Sequence, residues 1–275
     1  MKQITKLLKQ ASLGILATVL VAILFMIPTA IPWTFIYIEI GKLVGPYLGL
    51  GLTILILLCI FICTPLITYR ILMKLKKNMT RFTIVINLTI AFLVMLSLSL
   101  MFMQRVSEAG QKIDIFIDEN EHLDFHDYIV SVSSFLDNNV QKAYRKPEAL
   151  FRIDNYVYST FLGAHVMQLW ETSRADLIVY QGWGTCEQAA ILIEELLQGT
   201  GYETRQAFFK NIDHQWTEVK YNETWLIIDP WYIGNFIEAQ NLKNAKPQFQ
   251  DATGVIVQYR NGTRIESSQE HGYFP

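Results

Sequence analysis

Gly184-Thr185-Cys186, then His214-Gln215-Trp216-Thr217-Glu218-Val219, then Trp225-Leu226-Ile227-Ile228-Asp229-Pro230: these three runs decide how the chain is read. Their order and spacing suit a thiol nucleophile, its general base and a carboxylate that orients the base. Cysteine is the side chain closest to being a nucleophile unaided. It still needs a base and surroundings that stabilise the thiolate to attack an amide at neutral pH. Cys186, His214 and Asp229 are the three catalytic candidates.

The residues around Cys186 predict a helix that begins at the cysteine. Thr185 followed by Gln188 fits a capping box, which puts Cys186 in the first turn, where free amide hydrogens and the positive end of the dipole favour a thiolate. Ala189, Ile193, Leu196 and Leu197 give that helix a buried face, and Gly199 and Gly201 suit its stop. Glu187 opposes thiolate formation unless it points to solvent. Three runs rich in β-branched and aromatic residues follow, over Glu203 to Phe209, His214 to Tyr221 and Thr224 to Ile228, and Gly254 to Tyr259 reads as one more strand.

A two-residue turn at Asn222-Glu223 pairs Tyr221 with Thr224, so that positions summing to 445 lie opposite one another (221 + 224 = 445). Side chains alternate faces along a strand, so His214, Trp216, Asp229 and Trp231 project to one side, with His214 and Asp229 as diagonal neighbours. A three-residue loop would turn one partner away. Glycine, rather than Glu223, is the residue usually preferred where such a turn needs positive φ.

Residues 182 to 232 resemble the transglutaminase-like superfamily, whose core is papain-like with a Cys-His-Asp triad. The motifs are a G-x-C opening a helix, H-x-W-x-E-V on a strand, and W followed four residues later by D-P on the next strand, separated here by 214 − 186 = 28 and 229 − 214 = 15 positions. The resemblance implies Cys186 as nucleophile, His214 as general base and then acid, and Asp229 as the group fixing the imidazole tautomer. It implies an α+β fold in which the cysteine-bearing helix packs on an antiparallel sheet. Such a triad forms a thioester that water resolves in a peptidase or amidase and an amine resolves in a transglutaminase. The alternative is a catalytically silent transglutaminase-like module used for binding or assembly at the membrane.

The backbone N–H of Cys186 is a natural oxyanion donor, and Gln181 or the indole of Trp183 is a candidate for the second. Trp216 and Trp231 are candidates to line a substrate groove, as is Trp225. Three tryptophans in a small domain are equally suited to filling a core. His122, His126 and His165 lack a Glu or Cys at a recognised spacing, so no metal site is expected. No cofactor is expected either, since there is no glycine-rich phosphate loop. The absence of a Lys/Arg stripe and of zinc-finger spacing argues against nucleic acid as a partner.

Upstream the composition changes. No charged side chain occurs from Gln10 to Ile38, from Leu43 to Tyr69 or from Phe82 to Gln104, and each run exceeds the roughly 20 apolar residues that span a bilayer. The expected organisation is a membrane region over 1–104 with transmembrane helices at about 11–38, 43–69 and 82–104. A linker over 105–117 and a transglutaminase-like domain over 118–275 follow. Pro28 and Pro32 would bend the first span near its outer end, and Asn87 would hydrogen-bond between helices. Cys59 and Cys63, four apart, share one face of the second span and read as packing residues.

Lys2, Lys6 and Lys9 precede the first span, and Arg70, Lys74, Lys76, Lys77 and Arg81 fill the second connection, whereas the first offers mainly Glu39 and Lys42. The positive-inside rule then puts the N-terminus in the cytoplasm and the catalytic domain outside. The expected partners are the lipid bilayer and a peptide, protein or wall-polymer substrate, with helix association leaving the oligomeric state open. Cys186 is alone in the exterior part, where a structural cysteine normally has a disulfide partner. In the exterior domain, Ile129, Val132, Phe135, Leu136 and Val140 recur at helical spacing, and a further helix is expected over Asn155 to Trp170.

Overall fold

The computed structural model describes residues 30–44, 51–56, 80–142 and 174–273. The chain divides into two compact units, Met1–Gln104 and Arg105–Pro275. The second is a mixed α+β unit built on a six-stranded, wholly antiparallel sheet.

In the first unit, α1 spans Ala30–Val44 and residues 51–56 are also helical. Helix α1 continues through Glu39 and Lys42, which were expected in a connection and instead form an ion pair of 3.1 Å one turn apart. Helix α2 spans Thr80–Asn120 and passes from the first unit into the second. Among the described residues, no helix is long and apolar enough to cross a membrane. Most of the expected spans 11–38 and 43–69 lies outside the described residues, as do Pro28, Cys59 and Cys63. The third coincides with the first part of α2. There, the uncharged stretch with described side chains runs from Leu93 to Gln104, a rise of about 18 Å against a hydrocarbon core of roughly 30 Å.

The segment 105–117, expected as a linker, is helical throughout. Its apolar residues explain the difference: Val106, Ala109 and Ile113 are buried at helical spacing, and the Phe116 ring meets Phe135 at 4.6 Å. Helix α3 spans Phe125–Asn139 and is capped by the Asp124 carboxylate, which accepts from the His126 and Asp127 amides. It buries Phe125, Tyr128, Ile129, Val132 and Leu136. The expected helix over Asn155 to Trp170, with His165, lies outside the described residues.

Strand β1 (Gln141–Lys142) pairs in parallel with β2 (Trp183–Gly184), which follows the short helix α4 (Ala175–Gln181). Helix α5 (Cys186–Gly199) comes next, and then β3 (Thr204–Phe209), β4 (Gln215–Tyr221), β5 (Thr224–Asp229) and β6 (Gly234–Glu238). A short helix α6 (Leu242–Ala245) precedes β7 (Val255–Gln258) and β8 (Arg264–Glu266). The sheet order is β6-β5-β4-β3-β7-β8.

The β4–β5 hairpin has the register that places His214 near Asp229. Tyr221 pairs with Thr224 and Thr217 with Ile228, and both turn residues, Asn222 and Glu223, take positive φ of 48° and 62°. That is the backbone a tight two-residue hairpin requires, and Glu223 adopts it without being glycine. Helix α5 packs on β3, β4 and β5, where the Thr217 hydroxyl donates to the Ala190 carbonyl at 2.6 Å. On the opposite face, Ala207, Trp216, Ile227, Val255 and Val257 form a core with Leu242, Phe249 and Tyr273 from the C-terminal segments.

That second face also holds a buried cluster of charge. Glu218 is fully buried and accepts from Arg205 Nε at 2.7 Å, Trp216 Nε1 at 2.8 Å and His271 Nε2 at 2.6 Å. Arg205 also donates to Glu270 at 2.8 Å, and His271 Nδ1 donates to the Ser267 carbonyl at 2.7 Å. Burial alone would push the Glu218 carboxyl up, but His271 and Arg205 outweigh it and hold it below the usual carboxylate range. The cluster ties the C-terminal turn to the strand that begins beside His214. Glu218→Gln leaves two buried cations short of their shared anion. We expect it to lower the unfolding free energy of the chain by about 3–5 kcal/mol in denaturant titrations, whereas a loss under 1 kcal/mol would contradict this role.

Candidate active site

Cys186 opens α5, and the helix start is held by its neighbours. Gln188 Oε1 accepts from the Thr185 amide at 2.9 Å and from the Thr185 hydroxyl at 2.7 Å, so the glutamine half of the expected capping box is formed. Gly184 is required here, because a Cβ at that position would lie 2.7 Å from the Gln188 Cβ. Ala189, Ile193, Leu196 and Leu197 are all buried, which fixes where the N-terminal turn points. Cys186 itself is partly exposed and makes no disulfide.

His214 and Asp229 lie at the matching end of the hairpin, just before β4 and at the last residue of β5. His214 Nε2 meets Asp229 Oδ2 at 2.6 Å, and both side chains are buried. The carboxylate is held in turn by the turn after Pro230, since Oδ1 accepts from the Tyr232 amide at 3.1 Å and Oδ2 from the Ile233 amide at 3.3 Å. The imidazole is fixed by rings. Phe249 stacks on it at 5.5 Å and 8°, Tyr232 meets it edge-on at 4.8 Å, and Trp216 lies 5.8 Å away.

Burial works against a charge on His214, but it is outweighed by the hydrogen bond to Asp229 and by the nearby Cys186. Together they push the imidazole up to about 9. With Nε2 committed to Asp229, Nδ1 is the nitrogen left for the sulfur. A histidine whose folded value is raised adds stability that is fully present below its unfolded value near 6.5 and is lost as pH rises through about 9.

Cys186 and His214 line one cleft of about 290 Å³, with Glu187, Gln206, Phe208 and Arg264 among its other walls. The remaining expected site residues are placed elsewhere. Gln181 is buried and donates its amide to the Trp183 carbonyl at 2.8 Å, and neither residue lines this cleft. Gln181 therefore holds the β2 backbone. Trp216, expected in a groove, is 1% exposed in the core, where Glu218 takes up its indole N–H. Trp231 turns its indole to Asp137 of α3 at 2.9 Å, and the Trp225 ring lies under the Arg205 guanidinium at 4.0 Å. The cleft walls from Gln206, Phe208 and Arg264 went unnoticed in the sequence, because their convergence depends on strand order.

No family model matches the sequence, and no curated protein matches it. Among solved structures, the chain is similar to the crystal structure of a "putative protease" from Parabacteroides distasonis. That match has 14% identity and a TM-score of 0.33, and it covers 60% of this chain and 29% of that one. A likeness so distant carries no weight for fold or activity.

Asp229→Asn removes the charge that most directly supports a protonated His214. We expect iodoacetamide to label Cys186 roughly tenfold more slowly in this variant near neutral pH, read by mass spectrometry. An unchanged rate would mean that the carboxylate does not act on the sulfur through the ring.

Proposed function

We propose that the chain is a membrane-anchored thiol enzyme whose exterior unit is a papain-like, transglutaminase-like Cys-His-Asp acyl transferase or hydrolase. The observation that carries this reading is the buried 2.6 Å contact between His214 and Asp229, on a ring that lines one cleft with Cys186. Cys186 and His214, distant in sequence, line one cleft, with the proposed nucleophile at a helix start and the proposed base held from behind by the Asp229 carboxylate.

The reaction follows from the positions of the groups. The Cys186 sulfur, as thiolate beside the imidazolium, attacks the carbonyl carbon of an amide or peptide, and the C–N electrons collapse onto the leaving nitrogen as His214 protonates it. A thioester is left on Cys186. Water or a primary amine then attacks that thioester, giving up its proton to His214, and the sulfur departs as thiolate. Negative charge on the carbonyl oxygen is met by the backbone N–H of Cys186, one of the free donors of the first helical turn. Asp229 holds the ring in register and balances the imidazolium.

The membrane anchor rests on the three uncharged runs and on exposed apolar side chains in the first unit. Leu93, Val94, Leu96, Leu100, Met101 and Met103 are each at least 44% exposed, more apolar surface than a water-facing helix carries comfortably. The basic residues flanking the runs favour a cytoplasmic N-terminus and an exterior catalytic unit.

Incubating the purified chain with a peptide library and a labelled primary amine tests the reading. Cleaved peptides indicate hydrolysis, and amine-tagged glutamine indicates transfer. Cys186→Ala is expected to reduce either product by about three orders of magnitude or more. Turnover that survives in Cys186→Ala would overturn it, and no turnover together with an unreactive Cys186 would return the chain to a binding role. Protease applied to intact cells should remove the unit after Gln104, and its protection would reverse the proposed orientation.

A further inference from the structure

The cleft floor is sheet rather than loop, and it leads away from the sulfur to an arginine. Thr217 is opposite Gln206, Gln206 opposite Gln258, and Gln258 opposite Arg264, so these four side chains project from one face across β4, β3, β7 and β8. Thr217 fixes which face, since its hydroxyl bonds to α5. Gln206 is held there by Glu194 of α5 at 2.5 Å, and Gln215 donates to Gln206 at 2.7 Å. The row thus runs from beneath the cysteine helix to the far strand.

Apart from the base His214 itself, Arg264 is the only basic side chain among the described residues lining the cleft. Its Nε donates to Gln258 Oε1 at 2.6 Å, and its guanidinium carbon lies 5.3 Å from the Phe208 ring centre. Those two contacts orient the guanidinium plane while leaving both terminal nitrogens uncommitted. Among the described residues, no carboxylate pairs with it. A guanidinium aligned by a neutral amide and an aromatic ring is prepared for a planar anion arriving from solvent. Glu187 and Asp213, next in sequence to the sulfur and the imidazole, also line the cleft and disfavour an anion close to the reacting atoms. An anionic ligand is therefore admitted at one end only.

Resting on the thiol-enzyme reading, we propose that Arg264 is a specificity-determining residue which binds a carboxylate of the acyl donor, so that the substrates are acidic peptides or peptides ending in a free carboxylate. The span sets the length. Strand β8 is three strand spacings from β4, about 14 Å, which an extended peptide covers in about four residues. The carboxylate thus belongs roughly four residues from the carbonyl that Cys186 attacks.

Chloroacetyl-oligoglycines test this without turnover. The Cys186 thiolate displaces chloride, forming a thioether, and chloride leaves with the bonding electrons. Peptides of one to six glycines ending in carboxylate or carboxamide are compared on the full chain, with the iodoacetamide rate as reference in every protein. We expect the carboxylate form to react about tenfold faster than the carboxamide at lengths near four and no faster at one. That preference should fall as salt is raised, be lost in Arg264→Gln and be partly kept in Arg264→Lys. A preference that survives Arg264→Gln, or none in the native chain while Cys186 still reacts rapidly with iodoacetamide, overturns the assignment. A Cys186 slow toward every reagent instead defeats the thiol-enzyme reading beneath it.

Discussion

The contact between His214 Nε2 and Asp229 Oδ2 is the constraint from which the site is built. It exists because β4 and β5 are joined by two residues and no more. Residues summing to 445 are paired, and the diagonal across the open end of the ladder joins an imidazole to a carboxylate. Moving the register by one residue would send one of the two to the opposite face. The turn that prevents this holds Asn222 and Glu223 at positive φ, a backbone that L-residues other than glycine adopt at a cost of about 1 kcal/mol each. The strands on either side are long enough, and their inward faces apolar enough, to impose it.

The two faces of the sheet divide the labour. One carries α5 and fixes the direction of its N-terminal turn through buried aliphatic side chains and the Thr217 hydroxyl. The other carries the aromatic wall behind His214 and, further along β4, the Glu218 cluster. Residues 214, 216 and 218 share that face, so β4 and the residue just before it supply the base, a ring against it and the anion that anchors the C-terminal turn. Arg205, His271, Glu218 and Glu270 balance two cations against two anions, which is how such charge is tolerated away from water. Glu218 thus has a structural task within the same H-x-W-x-E run that holds the base.

Much of this was legible in the sequence because it depended on local rules. The start of α5 could be read from Thr185 and Gln188, the strands from β-branched runs, and the diagonal from strand alternation and a turn length. Strand β6 was not read, since Gly234 and Asn235 hide its period and Phe236 sits at a φ of 64°. The helical character of 105–117 is hidden in the sequence because the charges at Arg105, Glu108, Lys112 and Asp114 mask the buried stripe between them. Residue type alone leaves the tryptophans evenly between a substrate groove and a core. Trp216 and Trp231 went to a core and to Asp137, according to which neighbour could accept an indole N–H. Arg264 is nearly eighty residues from Cys186 in the chain (264 − 186 = 78), and only the insertion of β7 and β8 beside β3 brings them to one cleft.

The central claim is that His214 carries a charge at neutral pH because Asp229 and Cys186 both engage it. Following the His214 ring through a pH titration by NMR, with the resonance assigned from His214→Gln, addresses that most directly. The account predicts a ring protonated on both nitrogens throughout the neutral range that gives up a proton only near pH 9. A ring that titrates near 6.5, as an unpartnered histidine does, would contradict it.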